Sequence, residues 1–213
     1  MKKKDLEIIL SRLKSFDKQR IDLEQYQTEE TIASDLLWYV YMSGEIEGLS
    51  VGDLGCGNGI FGIGALLLGA SRVDFLDLDP AAIKIAKENV ASIEQMSGKK
   101  FKKSFTNKNV LAFNKKLDVI IQNPPFGVKK THADKPFLLQ AMQCAKKIYS
   151  FHKMETRKFV ENFVKDEGWN IAFVKRYKFP LRMHSNVKGY PFWKKKVHFV
   201  DVGVWKIENG KEE

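Results

Sequence analysis

Val51-Gly52-Asp53-Leu54-Gly55-Cys56-Gly57-Asn58-Gly59 is the stretch on which the reading of this chain turns. It opens as an apolar strand, passes through three alternating glycines and runs into a helical segment, Phe61 to Leu68. Glycine suits such a turn because the backbone must bend tightly and let a ligand approach with no Cβ in the way. Free amides at the start of the following helix favour a negatively charged group. Asp77 ends the next strand, about 20 residues on, where a carboxylate can accept both hydroxyl protons of a ribose.

On either side the pattern alternates between strand and helix. Upstream, Leu6, Ile9, Leu10 and Leu13 recur at helical spacing, and Thr31 to Met42 predicts a second helix with Ile32, Leu36, Tyr39 and Val40 on its apolar side. Strands are predicted at Leu49–Leu54, Val73–Leu78, Phe101–Phe105, Leu117–Gln122 and Ile148–Phe151. Between them, helices are predicted at Ala81–Ile93, with Pro80 in its first turn, at Phe137–Ala145 and at Thr156–Lys165. Trp169–Phe179 and Lys196–Ile207 read as two longer strands in succession. Such alternation implies a mostly parallel sheet with helices on both faces, and the last two strands an antiparallel C-terminal edge hairpin. The expected architecture is therefore α/β and Rossmann-like, with a seven-stranded sheet over residues 46–213. A helical extension over residues 1–45 is expected to pack on it.

Composition narrows the class. A chain of 213 residues suits one domain with a substantial core. Cys56 and Cys144 cannot build a disulfide framework, and with the four histidines they show no zinc-ligand spacing, so no metal site is expected. No apolar run approaches the roughly 20 residues of a membrane helix. The basic start Met1-Lys2-Lys3-Lys4-Asp5 continues into mixed charge rather than an apolar signal segment. A soluble, cytoplasmic protein is expected, and its net charge of +10 favours a polyanionic partner.

Two cofactors fit the glycine loop. Gly57-Asn58-Gly59-Ile60-Phe61-Gly62 satisfies the dinucleotide fingerprint, which brings in NAD. Against NAD stands Asp53, a carboxylate poorly placed beside a pyrophosphate, and the shortage of chain for a separate dehydrogenase substrate domain. S-adenosylmethionine, whose amino-acid end carries an ammonium beside a sulfonium, tolerates Asp53 and is favoured. The candidate cofactor residues here are Asp53, Gly55, Gly57, Asn58, Gly59, Asp77 and Leu78.

A second motif, Asn123-Pro124-Pro125-Phe126-Gly127, follows the apolar strand Leu117–Gln122. In a parallel sheet this strand end lies on the side of the glycine loop, beside the topological switch where ligands bind. Prolines fix the backbone. A planar exocyclic amine such as adenine N6 has two hydrogens and a lone pair delocalised into its ring. The Asn123 side-chain oxygen and the Pro124 carbonyl can hold both hydrogens, draw the nitrogen toward tetrahedral geometry and aim its lone pair. Positioning and electrostatics then carry a methyl transfer without a strong base. Phe126 offers a ring face to a base rotated out of its stack. A turn closing a strand would explain Asn-Pro-Pro in isolation, though not its order and distance from the glycine loop.

These residues resemble the class I methyltransferases that act on exocyclic or amide nitrogens. More closely, the chain resembles the methyltransferase-like protein five family of eukaryotes and archaea. The likeness runs through Leu23-Glu24-Gln25-Tyr26-Gln27-Thr28, Asp53-Leu54-Gly55-Cys56-Gly57 and Phe75-Leu76-Asp77-Leu78-Asp79. It continues in Asn123-Pro124-Pro125-Phe126-Gly127, Tyr149-Ser150-Phe151-His152-Lys153 and Lys194-Lys195-Lys196. The resemblance implies an S-adenosylmethionine-dependent ribosomal RNA adenine-N6 methyltransferase. It also implies Tyr26 and Thr28 near the cofactor, Asp77 on its ribose, and a small zinc-binding activator subunit as a partner. Where many relatives carry an acid after the third strand this chain has Asn109, whose amide oxygen can still meet the cofactor's adenine amine.

Cations and rings interleave in Tyr177, Lys178, Arg182, His184, Lys188, Tyr190, Phe192, Trp193 and Lys194–Lys196. RNA recognition uses charges for phosphates and rings for unstacked bases. Lys129, Lys130, Lys188, Lys194, Lys195 and Lys196 are the candidate nucleic-acid contacts, with ribosomal RNA the expected partner. His152 and the tryptophans Trp38, Trp169 and Trp205 are assigned to packing, and Cys56 to small size. Three other readings stay open: protein glutamine N5-methylation, DNA adenine-N6 methylation, and an RNA-binding protein that keeps the fold without catalysis.

Overall fold

Apolar side chains that alternate along the central strands fill two layers, one on each face of a sheet. The computed structural model describes residues 1–16, 26–126, 133–182 and 197–210. Its strands are β1 (Ser50–Leu54), β2 (Arg72–Asp77), β3 (Lys103–Asn107), β4 (Leu117–Gln122), β5 (Ala145–Lys153), β6 (Trp169–Arg182) and β7 (Val197–Asn209). Its helices are α1 (Lys3–Leu10), α2 (Glu30–Met42), α3 (Ile60–Leu67), α4 (Pro80–Ser97), α5 (Lys135–Cys144) and α6 (Arg157–Asp166). The strands form one seven-stranded sheet in the order β3-β2-β1-β4-β5-β7-β6. β1 to β5 pair in parallel, and β7 is antiparallel to both β5 and β6. From β1 the chain builds outward through β2 and β3, then returns to β1's other side with β4. The switch point thus lies between the glycine-loop strand and the strand that ends at Gln122.

Val51, Val73, Phe75, Val119 and Ile121 share one apolar cluster with Leu6 of α1, Leu36 of α2, Ile63 of α3 and Ala86 of α4. Leu54, Leu76, Ile120, Ile148 and Ile207 share the other with Leu138 of α5 and Val160 of α6. Each Val, Leu, Ile or Phe side chain so removed from water stabilises the fold by roughly 1.5–3 kcal/mol. Trp205 is fully buried, while Trp38 and Trp169 pack partly buried against the two clusters.

The seven-stranded α/β architecture with a C-terminal hairpin is as expected. Several element ends differ by a few residues, and three details bear on how the sheet is built. β3 begins two residues late because the Phe101 amide is tied to Glu94 Oε1 of α4 at 2.9 Å, holding the chain to the helix before the strand starts. β5 is longer than Ile148–Phe151, since its polar ends also pair with β7, from Lys147 opposite Glu208 to Lys153 opposite Val202. In the hairpin the later strand, β7, lies inside, so β6 forms the edge of the sheet.

Ion pairs fasten the N-terminal helices. Asp35 of α2 accepts from Lys3 of α1 and from Lys175 and Tyr177 of β6. Burial would raise its carboxyl pKa, but these hydrogen bonds outweigh that and hold it at about 2. Among the described residues no helix is long and apolar enough to cross a membrane.

Candidate active site

Gly55, Gly57 and Gly59 all take positive φ, +70°, +55° and +85°, so the turn after β1 uses a conformation that side chains disfavour. The Gly55 and Cys56 amides both donate to the Leu76 carbonyl at the end of β2, which folds the loop back over the sheet. Gly62 serves close packing instead: a Cβ there would stand 2.2 Å from the Phe75 ring. Two carboxylates brace the loop. Asp77 accepts the Gly57 amide and the Asp79 amide, each at 2.9 Å. Burial raises its pKa, with those amides working against the rise. Asp53 accepts the Gly62 amide, in the first turn of α3, at 2.8 Å.

Across the switch point, Leu54 of β1 is in register with Gln122 of β4, so the segments that follow the two strands leave the sheet side by side. Asn123 donates its side-chain N–H to Thr28 Oγ1 at 3.0 Å. Its Oδ1 is buried and has no hydrogen-bond partner among the described residues. Thr28, itself buried, anchors the amide at its bonded end. A buried acceptor left without a partner costs about 1–3 kcal/mol, and a bound donor recovers it.

Both segments line one cavity of about 170 Å³, partly open to solvent. From the glycine side it takes Gly55, Gly57, Asn58, Asp77 and Leu78, with Asn109 beyond β3. From the other side it takes Asn123 and Pro125, and Tyr26 and Thr28 complete the wall. Ten of the expected residues are therefore brought together.

Four are placed elsewhere. Asp53 is buried beneath the loop, only 1% exposed, and caps α3 rather than facing the cavity. Desolvation pushes its pKa well up, with the Gly62 amide opposing, and its Oδ1 has no partner among the described residues. One amide at the helix start, that of Gly62, is therefore already taken by the protein's own side chain. Gly59 and Pro124 shape the backbone without lining the cavity. Phe126 is 7% exposed: Tyr26 stacks on it at 6.2 Å between centroids and Phe179 meets it edge-on at 5.6 Å. Its ring is packed, not presented to a base. Asn109 does line the cavity, but its Oδ1 accepts the Leu111 amide at 3.0 Å as a helical cap. Lys129, Lys130, Lys188, Lys194, Lys195 and Lys196 lie outside the described residues, as does Arg182 beyond its backbone.

Sequence reasoning missed other members of the wall. Phe16 and Gln27 enter from the N-terminal segment, and Phe137 from α5. Asn89 of α4 receives the Lys14 amide at 2.8 Å and donates to the Asn58 carbonyl at 2.9 Å, tying that segment to the glycine loop. Asn89, a buried polar residue in an amphipathic helix, was the one available signal. Cys56 also lines the cavity, and burial, with Asp53 and Asp77 nearby, raises its thiol pKa far from a reactive thiolate.

A glycine loop after β1, an acid closing β2, and an Asn-Pro-Pro turn after β4 on this strand order define a class I methyltransferase. Residues 30–124 match the family model for ribosomal protein L11 methyltransferase (PrmA). Magnesium protoporphyrin IX methyltransferase of Synechocystis PCC 6803, solved with bound SAM, shares the fold at a TM-score of 0.62 and 14% identity, over 84% of this chain and 79% of that one. A crystal structure of PH1948 from Pyrococcus horikoshii superposes with a TM-score of 0.87 at 36% identity, covering 98% of each chain. The rRNA N(6)-adenosine-methyltransferase Mettl5 of Drosophila melanogaster is 31% identical over 227 residues, 100% of this chain and 99% of that protein. The chain belongs to the METTL5 family.

Proposed function

We propose that this chain transfers a methyl group from S-adenosylmethionine to the exocyclic N6 of an adenosine in ribosomal RNA. One observation carries the reading: Asn123 Oδ1 is a buried, unpartnered acceptor, pinned by Thr28 beside the cavity that the glycine loop also lines. Such an atom calls for a donor, and an amine with two hydrogens is one. The bound cofactor would supply an electrophilic methyl on a sulfonium. The residues at hand suit it. Asp77, a strand-end carboxylate with amides already on both oxygens, keeps lone pairs for two ribose hydroxyls. Asp53 already takes the Gly62 amide at the start of α3, which counts against a pyrophosphate there and favours S-adenosylmethionine over NAD. Asn123 Oδ1, the free acceptor on the cavity wall, would take an amine hydrogen, polarise the nitrogen and help hold its lone pair in line. Stabilisation of this kind is worth roughly 10²–10³ in rate.

The names of the relatives support adenosine in ribosomal RNA as the acceptor. The charge of +10 supports a polyanion. In this reading the six candidate lysines contact the RNA backbone, residues 46–213 form the catalytic domain with residues 1–45 packed on it, and a small zinc-binding subunit assists. Purified protein, alone or with such a subunit, should move tritiated methyl into ribosomal RNA from cells that lack this gene. Nucleoside mass spectrometry should identify the product as N6-methyladenosine.

A protein side-chain nitrogen is the second reading, favoured by the match to ribosomal protein L11 methyltransferase. That match ends at residue 124, covering the glycine loop and leaving out most of the chain beyond Asn123. Label in ribosomal protein with none in RNA would select it.

A further inference from the structure

Beneath α5, away from the cavity, lies a chain of buried polar side chains that the transfer itself does not use. Gln122, the last residue of β4, donates Nε2–H to Ser150 Oγ at 3.0 Å. Ser150 Oγ lies 2.7 Å from His152 Nε2, and His152 Nδ1 lies 2.7 Å from Asp134 Oδ2. Gln122 and Ser150 are register partners on adjacent strands, and Asp134 stands at the N-cap of α5. Gln122, Ser150 and His152 are at most 1% exposed, and the Trp205 ring packs against the imidazole.

Short contacts link the four side chains in series: Gln122 donates to Ser150, and the imidazole bridges Ser150 and Asp134. The Ser-His-Asp order is not that of a hydrolase, because the hydroxyl is sealed in the core where no substrate reaches it. For stability alone, apolar side chains would serve this place better, since every buried polar group must be satisfied and Gln122 Oε1 has no partner among the described residues. What the chain joins is more telling. Gln122 immediately precedes Asn123, so the strand end that carries the Asn-Pro-Pro turn is fastened to β5, and Asp134 fastens the start of α5 to the same strand.

We propose that Gln122, Ser150, His152 and Asp134 form a clamp that positions Asn123 for the acceptor amine. The inference rests on the reading of Asn123 given above. The four residues act through Asn123 and are positioning residues.

Gln122→Met tests it in the full chain, because methionine keeps the volume and removes both the bonded and the unpartnered atom. A merely structural role leaves turnover and melting temperature unchanged or improves the latter. The clamp lowers kcat by about ten- to a hundredfold, the scale of a small misplacement of reacting groups, with KM for RNA and cofactor Kd within about twofold. Ser150→Ala should behave alike and carries the test if Gln122→Met does not fold. Asp134→Asn, which keeps an acceptor for the imidazole N–H, should retain most of kcat. A second readout needs no substrate: amide hydrogen exchange at Asn123 and Phe126 should quicken in Gln122→Met and Ser150→Ala but not in Asp134→Asn. Unchanged exchange in both disruptive variants overturns the clamp. Quickened exchange in a protein that methylates no RNA sustains the clamp and overturns the functional reading instead.

Discussion

The two sides of the cavity are built by different means. On the glycine side the backbone does the shaping: three positive-φ glycines, two amides returned to the Leu76 carbonyl, and two carboxylates that brace neighbouring amides. On the Asn123 side, side chains brought from far along the chain do it, with Thr28 fixing the amide and Ser150 holding the residue before it. One side is a mould whose wall groups are bonded to its own loops. The other holds a wall acceptor in reserve. Binding and chemistry should therefore come apart under mutation.

Removal of the reserved acceptor has the largest expected effect. Asn123→Ala should lower kcat by about 10²–10³-fold, the loss typical when one preorganised polar group is deleted. Cofactor affinity by calorimetry should stay within about twofold. If both fall together, the division between the two sides is broken. On the mould side, Asp77→Ala should do the converse. It deletes a charged partner of the Gly57 and Asp79 amides and the candidate ribose contact, so cofactor Kd should rise by roughly tenfold or more. With saturating cofactor, kcat should largely recover, and an unaltered Kd would remove Asp77 from the ribose site.

Thr28→Val sharpens the comparison with a smaller effect. The family likeness implies Thr28 near the cofactor, and it does line the cavity, with its hydroxyl bonded to Asn123. Valine keeps the shape and drops the acceptor, so the amide loses its anchor. One neutral hydrogen bond contributes about 1 kcal/mol, which sets the expected fall in kcat at about fivefold with cofactor Kd unchanged. A rise in Kd with kcat intact would return Thr28 to the cofactor side.

The same division explains what could be read in advance. Strand, glycine turn, helix and Asp77 are local features, and their spacing carried the layout of one half of the cavity. β4 was placed at Leu117–Gln122 with its true limits because an unbroken apolar run ends at a pair of prolines. The partners of Asn123 and Gln122 lie 95 and 28 residues away, and no local pattern announces such pairs. Phe126 was misread for the same reason, since its exposure depends on Tyr26 and Phe179, which reach it only through the folded sheet. Asn89 likewise gained its meaning from Lys14.

Asp53 is where local reading misled most, and it gives the smallest effect on binding. The carboxylate before the glycine turn is expected among the cofactor residues, because the cationic end of S-adenosylmethionine tolerates it. Buried under α3, it accepts the Gly62 amide and is shielded from the cavity. Asp53→Asn keeps an acceptor for that amide, so cofactor Kd should change by less than about twofold; a rise of tenfold would mean the carboxylate does reach the ligand. The pH dependence of stability gives an independent sign. Burial raises this carboxyl's folded-state pKa well above its unfolded value of about 4. The folded protein thus holds a proton that the unfolded chain releases, and the associated stability declines as pH rises from about 4 through the folded pKa. The amide of the Asp53→Asn variant has no such proton to lose. Denaturant unfolding followed from pH 5 upward should show the parent losing more stability than the variant, and parallel curves would mean that this carboxylate is already ionised within the fold.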